Sequence, residues 1–375
     1  RLPGPLWGLP DDEHSARTGV SDELQPGAIS NLISSSEVAF RVRFETAVPD
    51  RKQLYWRGLV LSDFDGTTWR RDDAPFYTYP NVNIVDQEND IYNYTITLEP
   101  TRRHWLYSLD TPVVYESSYR MTRELQLYSK INITGVTRYA MSSSTRAYNQ
   151  GLFDEERSKY LALPEGYNPR TLAFAGELRD SAFGDEQRIV DAALLYFRQQ
   201  EFYYTLKPPR ISGDTVDQFL FETRRGFCEH YSTAFVTLMR AAGVPSRVIV
   251  GYQGGTMHPQ DDYMMVRQSD AHAWAEVWIN ERWQRLDPTA WVSPDRIERG
   301  VEYAGLESDR LPSLFSSDSA LLRDLYYRWD SLQAAWNQWI IGFDMDRQKK
   351  LFQHLGFEDV RLTDLALWLV IAMTV

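Results

Sequence analysis

One cysteine, one histidine and one aspartate in the second half of the chain have the types and order that nucleophilic acyl chemistry uses. Cys228 is the only cysteine among 375 residues. Gly226 precedes it; Phe235, Leu238, Met239 and Ala242 recur behind it at helical spacing, and Gly243-Val-Pro245 stops the run. A cysteine at a helix N-terminus is near the positive end of the dipole and near unpaired N–H groups, and both favour thiolate over thiol. His272 opens a strand pattern, SDAHAWAEVWI, whose period of two puts His272, Trp274, Glu276 and Trp278 on one face. Asp287 closes the next strand. A hairpin across Asn280-Glu-Arg282 would bring that carboxylate to the imidazole and leave the other ring nitrogen for the thiol. In such a set the histidine takes the thiol proton, and the aspartate holds the tautomer and supports the imidazolium. The thiolate attacks a carboxamide, ammonia or an amine leaves, and the thioester is resolved by water or by an amine.

Other residues compete for these roles. His230 is nearest to Cys228 in sequence, but i and i+2 do not face each other on a helix, so it reads as a packing or hydrogen-bonding histidine. His258 stands in a Gly-Gly-Thr-Met-His-Pro loop, and Asp270 is only two positions from His272, which suits a turn residue better than an orienting one. Glu276 shares the histidine's face but lies farther along the strand. Tyr204, ahead of Pro208-Pro209, is placed as an oxyanion donor or pocket wall beside the Cys228 N–H, and Trp274 as a pocket residue. No HExxH, Walker or GxGxxG pattern occurs, and no EF-hand-like loop implies calcium, so the expectation is no metal and no cofactor.

The elements that must carry these residues follow from pattern. Residues 1–36 are Gly-, Pro-, Ser- and Asp-rich and read as an irregular segment. From Glu37 the texture changes. Val38, Phe40, Val42 and Phe44 alternate with polar or small neighbours, and similar short strands recur at 54–61, 92–98, 105–107, 113–115, 125–128 and 133–139. That predicts an all-β domain over 37–145. Residues 146–183 form a bridge with a short helix after Pro169. A helix at 185–202, N-capped by Asp185, has Ile189, Ala192, Ala193, Tyr196 and Phe197 on its buried stripe. The cysteine helix follows, then strands at 246–253, 263–268, 272–279 and 282–287, the last closed by Pro288. A helical layer feeding antiparallel strands makes 184–300 an α+β core. Leu322, Leu325, Trp329, Leu332, Trp336 and Trp339 form an apolar seam on a helix of 318–341, read as packing within the molecule with self-association as the alternative, inside a helical extension over 301–360. The run LALWLVIAMTV at 365–375 is read as the start of a membrane-spanning helix, which needs about 20 apolar residues.

Composition bounds the rest. The chain is 43% hydrophobic and 25% charged, ordinary globular usage, and is long enough for two domains. Its formal net charge of -12 argues against a binder of phosphate backbones, so no nucleic-acid partner is expected. A single cysteine excludes an intramolecular disulfide and a Cys-rich zinc site.

The blocks GFCEHYSTAFVTLMRAAGVPSRVIVGYQGG, SDAHAWAEVWI and WQRLDPTA, in this order, resemble the core of the transglutaminase-like superfamily. The resemblance implies a papain-like triad with Cys228 as nucleophile, His272 as general base and Asp287 as orienting carboxylate. SDELQPGAISNL, LVLSDFDGTTWR, YLALPEG and RIERG further resemble bacterial membrane-anchored transglutaminases of the TgpA type, so the likeness extends over most of 20–360. It implies an α+β fold with an N-terminal all-β domain, a transglutaminase-like catalytic core and C-terminal helices. It also implies acyl transfer from the glutamine side chain of a protein or peptide to a primary amine or lysine, through a cysteine thioester. The implied setting is the bacterial inner membrane, with this region facing the periplasm and attached through flanking transmembrane helices; the oligomeric state stays open, with a monomer preferred. A cysteine peptidase or amidase acting on cell-envelope peptides, and a non-catalytic scaffold, are the alternatives at this stage.

Overall fold

The computed structural model describes residues 20–72 except Pro26, 84–85, 91–304 except Ala147 and Gln150, and 327–334 except Gln333. Two antiparallel sheets carry the architecture. The first half of the chain supplies β1 (Val38–Phe44), β2 (Tyr55–Leu61), β3 (Ile91–Leu98), β4 (Ser108–Leu109), β5 (Thr111–Tyr115) and β6 (Thr137–Ser144). The second half supplies β7 (Ser246–Gln253), β8 (Thr256–Met257), β9 (Met264–Arg267), β10 (Ala271–Ile279) and β11 (Arg282–Leu286). One sheet has six strands in the order β5-β6-β3-β1-β9-β8, and the other has five in the order β11-β10-β7-β2-β4. Both therefore mix strands from before and after residue 145. The β-rich stretch and the α+β core follow one another in sequence, but the division at 145 is not a division in space, because β2 and β1 find their partners in β7 and β9.

The helices around these sheets include α1 (Ala28–Ile33), α2 (Pro169–Ser181), α3 (Glu186–Gln199), α4 (Cys228–Ala241), α5 (Pro288–Val292) and α6 (Pro294–Glu298). Proline opens α2, where its missing N–H costs nothing. Asp185 caps α3 by accepting from Arg188 N at 3.0 Å. Both helices pack on α4, which lies on β10 and β7. The sequence of β10 shows why α4 can approach closely: Ala271, Ala273, Ala275 and Val277 join the main apolar cluster that holds Cys228, Tyr231, Phe235 and Leu238. Small side chains on that face let the helix sit near the strand backbone. On the other face Trp274 joins a second cluster with Tyr55, Val60, Ile249 and Ile297.

Buried Arg240, in the last turn of α4, fixes the helix to its surroundings. Its guanidinium donates to the carbonyls of Ser246 at 2.9 Å, Ala162 at 2.8 Å and Ser62 at 2.9 Å, and lies 4.7 Å over the Trp69 ring. One side chain thus satisfies carbonyls from the core, the bridge and the β-rich stretch. At the same end of the sheet, Asn280 and Glu281 both take positive φ, 54° and 58°, and join β10 to β11 as a two-residue hairpin with Ile279 opposite Arg282. That turn geometry matches the twist of the strands.

Residues 1–318 form one compact unit and 319–375 another. In the second, 327–332 and 334 are helical. The rest of the expected 318–341 seam and the apolar run at 365–375 lie outside the described residues. The expectation of membrane attachment through flanking transmembrane helices is corrected here: among the described residues, no helix is long and apolar enough to cross a membrane.

Candidate active site

The candidate nucleophile, Cys228, is positioned by the entry to α4. Gly226 forms a parallel bridge with Tyr204, and its carbonyl accepts from Thr205 N at 2.9 Å. A Cβ at Gly226 would lie 2.7 Å from the His230 Cβ, so only glycine leaves room for the chain to turn into the helix here. Phe227 is extended, and its N–H points to His230 Nδ1 at 3.5 Å. His230 is therefore a local capping histidine, and burial pushes its pKa down to about 4. Glu229, next to the cysteine, accepts the backbone N–H of Gly27 and, at 3.1 Å, that of Ile29, which ties the start of α1 to the nucleophile helix.

Cys228 is fully buried, and the Ala273 N–H donates toward its sulfur. Burial outweighs the helix N-terminus: the thiol is pushed up to about 12, against the lowering effect of Arg296 and of the Ala273 N–H. The thiolate expected from helix position alone is thus not the resting form. Dipole and orphan N–H groups act over one turn, whereas removal of water penalises the whole charge.

His272 stands opposite Gly251 on β7 and is also fully buried. Its Nε2 lies 2.7 Å from Asp287 Oδ2, while Nδ1 is buried and, among the described residues, has no hydrogen-bond partner. The pairing of β11 stops at Leu286 opposite Ala275, and Asp287 turns its carboxylate back to the imidazole. Asp287 caps α5, with Oδ1 accepting from Thr289 N at 2.9 Å, and Tyr55 from β2 donates its hydroxyl to Oδ2 at 2.7 Å. Burial alone would raise the carboxyl. His272 and these two donors overcome that and hold it below the usual carboxylate range. Burial moves His272 the other way, toward the neutral ring, against the pull of Asp287. A neutral imidazole that gives its Nε2–H to an ionised Asp287 satisfies both tendencies and leaves Nδ1 as an acceptor.

Tyr204 is buried beside the thiol, and its hydroxyl oxygen faces the Arg296 guanidinium. Burial, then the nearby Cys228, raise its pKa, so it stays a neutral donor. It also forms part of the wall of a pocket of about 240 Å³ lined by Tyr203, Val292, Asp295 and Tyr303 among others. Trp274 lies against His272, with ring centroids 6.2 Å apart and planes 23° apart, and packs edge-on to Tyr55 at 5.2 Å. It backs the imidazole from the second apolar cluster.

The competitors are placed elsewhere. His258 accepts from Asp261 N at 3.0 Å and stacks on Tyr263 within its own loop. Asp270 accepts from Arg267 N at 2.9 Å as a turn cap. Glu276 is paired with Arg57 and Arg247. Sequence reasoning missed Tyr55 and Arg296. Arg296 is a buried guanidinium held by Gln253 Oε1 at 3.1 Å and the Ala271 carbonyl at 3.2 Å, and it is the cation acting most strongly on Cys228. No local pattern marks Tyr55, whereas Arg296 was present in the RIERG segment without a role. Among the described residues, no group of three or more His, Cys, Asp or Glu is arranged to hold a metal ion.

A cysteine at a helix head and a histidine–aspartate pair on an adjoining antiparallel sheet define a transglutaminase-like protein. Residues 175–288 match the transglutaminase-like superfamily, and residues 1–150 match the TgpA N-terminal domain. The crystal structure of the periplasmic domain of TgpA from Pseudomonas aeruginosa is 40% identical, with a TM-score of 0.73, and the match covers 76% of this chain and 99% of that one. The same domain bound to ethylmercury matches at 40% identity and a TM-score of 0.71, over 75% of this chain and 100% of that one. A protein-glutamine gamma-glutamyltransferase of Pseudomonas aeruginosa is 38% identical over 373 residues, 96% of this chain and 55% of that protein. The chain belongs to the TgpA family of the transglutaminase-like superfamily. It spans about half the length of that curated relative.

Proposed function

We propose that this chain is the catalytic region of a protein-glutamine gamma-glutamyltransferase acting on the periplasmic side of a bacterial envelope. The observation that carries the reading is the His272–Asp287 pair at 2.7 Å, with a buried, unpartnered Nδ1 on the histidine that neighbours the thiol's Ala273 contact. In the first half-reaction His272 Nδ1 takes the Cys228 proton as sulfur attacks a glutamine carboxamide. The imidazolium, supported by Asp287, gives that proton to the departing ammonia, and a thioester remains. In the second, a primary amine attacks the thioester, loses its proton to the same nitrogen, and the thiol is regenerated. The Cys228 backbone N–H and the Tyr204 hydroxyl are the donors available to the tetrahedral oxyanion. The pocket walled by Tyr203, Tyr204 and Tyr303 is the route by which substrate reaches the sulfur.

The thiol resting state fits this cycle. A buried neutral thiol is protected from adventitious oxidation until a substrate and the imidazole together remove its proton. The test incubates the chain with a glutamine-bearing protein and a fluorescent primary amine, beside a peptide-hydrolysis assay. Amine incorporation that disappears in Cys228→Ala and His272→Ala supports the reading. Peptide cleavage with no incorporated amine would replace it with a peptidase.

A further inference from the structure

Along the strands from the His272–Asp287 pair, on the same face of the five-stranded sheet, lies a cavity of about 250 Å³. Five arginines line it, Arg57, Arg146, Arg247, Arg282 and Arg285, against two carboxylates, Asp110 and Glu276. Strand register explains their convergence. Arg247 on β7 and Arg285 on β11 stand directly across from Glu276 on β10, and Arg57 comes from β2, which pairs with the far side of β7.

The carboxylates do not balance the guanidinium groups. Glu276 is shared, with one oxygen taken by Arg57 and the other accepting from Arg247 Nε at 2.8 Å. Asp110 is occupied by Arg285 at 2.6 Å. Arg247 Nη2 is buried and lies 2.8 Å from the Glu276 oxygen that Nε already uses, without a hydrogen bond of its own. Arg57, Arg247 and Glu276 are only 3%, 1% and 4% exposed. The nearby Glu124 carboxylate faces Lys159 at 3.1 Å, and because Lys159 is shared with Asp72 at 2.8 Å, Glu124 also acts on Arg247 and Arg57. Arg247 Nη2 is therefore a buried donor in the cavity wall without a hydrogen bond, in a lining of five guanidinium groups of which Arg146 and Arg282 each have an interaction of their own. A buried donor without an acceptor is expensive, and an anion in the adjoining cavity would supply one. Burial and then the neighbouring Arg247 charge push the Arg57 pKa down to about 9, a sign of that crowding.

We infer that this cavity is a binding site for a small oxyanion, a phosphate or carboxylate group received by the guanidinium donors of Arg247 and Arg285. Planar, always-charged donors suit both groups. The site borders the candidate catalytic pair, because the Arg285 guanidinium lies 4.1 Å over the Tyr55 ring whose hydroxyl donates to Asp287.

Calorimetric titration of the whole chain with inorganic phosphate and with glutarate, at ionic strength matched by chloride, tests the inference. Saturable binding of either with a dissociation constant of about 1 mM or tighter is expected, and the tighter of the two probes identifies the group the site takes. Arg285→Gln, at a partly exposed position, should weaken binding at least tenfold. Glu276→Gln removes the carboxylate that competes with the anion and should tighten it severalfold. Opposite signs in two variants cannot come from misfolding. Absence of saturable binding by the unaltered chain, or binding indifferent to both substitutions, would overturn the proposal.

Discussion

Tyr55→Phe isolates one hydroxyl that donates to Asp287, the candidate orienting carboxylate. Asp287 receives His272 Nε2 at 2.7 Å, Tyr55 Oη at 2.7 Å and Thr289 N at 2.9 Å, all in a buried site. A hydrogen bond to a charged acceptor contributes about 1.5–3 kcal/mol, and here burial leaves little room for water to replace the lost donor. If most of that loss is felt when the imidazolium forms, kcat/KM for amine incorporation falls roughly tenfold to a hundredfold. Tyr55 lines neither wall of the Tyr204 pocket, so KM should move little and kcat should bear the change. The pH profile adds a signed test. The Asp287 carboxyl is held below its ordinary value, and Tyr55 is one of the donors that lowers it. The ionised, active form is therefore present above that value and is lost as pH falls through it. Without the hydroxyl the pKa rises, and the acid limb of the profile moves to higher pH. Tyr139→Phe is the control, since that buried hydroxyl donates at 2.9 Å to the Tyr107 carbonyl and has no path to Asp287. It should lower stability and leave the acid limb in place. A Tyr55→Phe enzyme within twofold of the unaltered rate, with an unmoved acid limb, would refute the role assigned to the Tyr55–Asp287 bond.

Two further outcomes are expected. Gly251→Ala would put a Cβ 2.0 Å from the Trp56 carbonyl oxygen and 3.1 Å from Trp274 Cη2, so β2 and β7 must part opposite His272. Urea unfolding should show a loss of about 3 kcal/mol or more, and a midpoint near that of the unaltered chain would contradict the close packing. Glu229 makes stability depend on pH, because burial raises its carboxyl to about 8 despite the N–H groups of Gly27 and Ile29. Between the unfolded value of about 4.3 and 8, the unfolded chain is ionised while the folded one is protonated. The contribution is complete below that window and is lost as pH rises through it, by at most about 1.4 kcal/mol per unit. Glu229→Gln lacks the titration, so its stability relative to the unaltered chain should rise from pH 5 to pH 8. Parallel stability curves for the two proteins would rule the effect out.

Residue type and order made the candidate site readable. A lone cysteine after glycine at the head of a helical period, a histidine opening one strand and an aspartate closing the next are local features. The hairpin between the last two is local as well, spanning Ala271 to Leu286, so sequence pattern could anticipate that Asp287 meets His272. Local periodicity likewise located most strands and the helices around 169–199 and 228–241. It separates buried from exposed faces but does not name the partner each face meets. For that reason the stretch before 145 read as a domain of its own, whereas its strands complete both sheets of the core.

Tertiary structure decided what surrounds those residues. Tyr55 reaches Asp287 across 232 positions of sequence, because β2 is paired with β7 rather than confined to its own neighbourhood. Arg296 acts on Cys228 through a fold that returns α6 to the sheet. Burial reversed the protonation expected of the thiol, since a helix N-terminus is visible in sequence and the amount of water removed is not. Types, spacing and two local turns thus determined which residues could react; long-range strand pairing, which no local period encodes, decided their charge states and their supports.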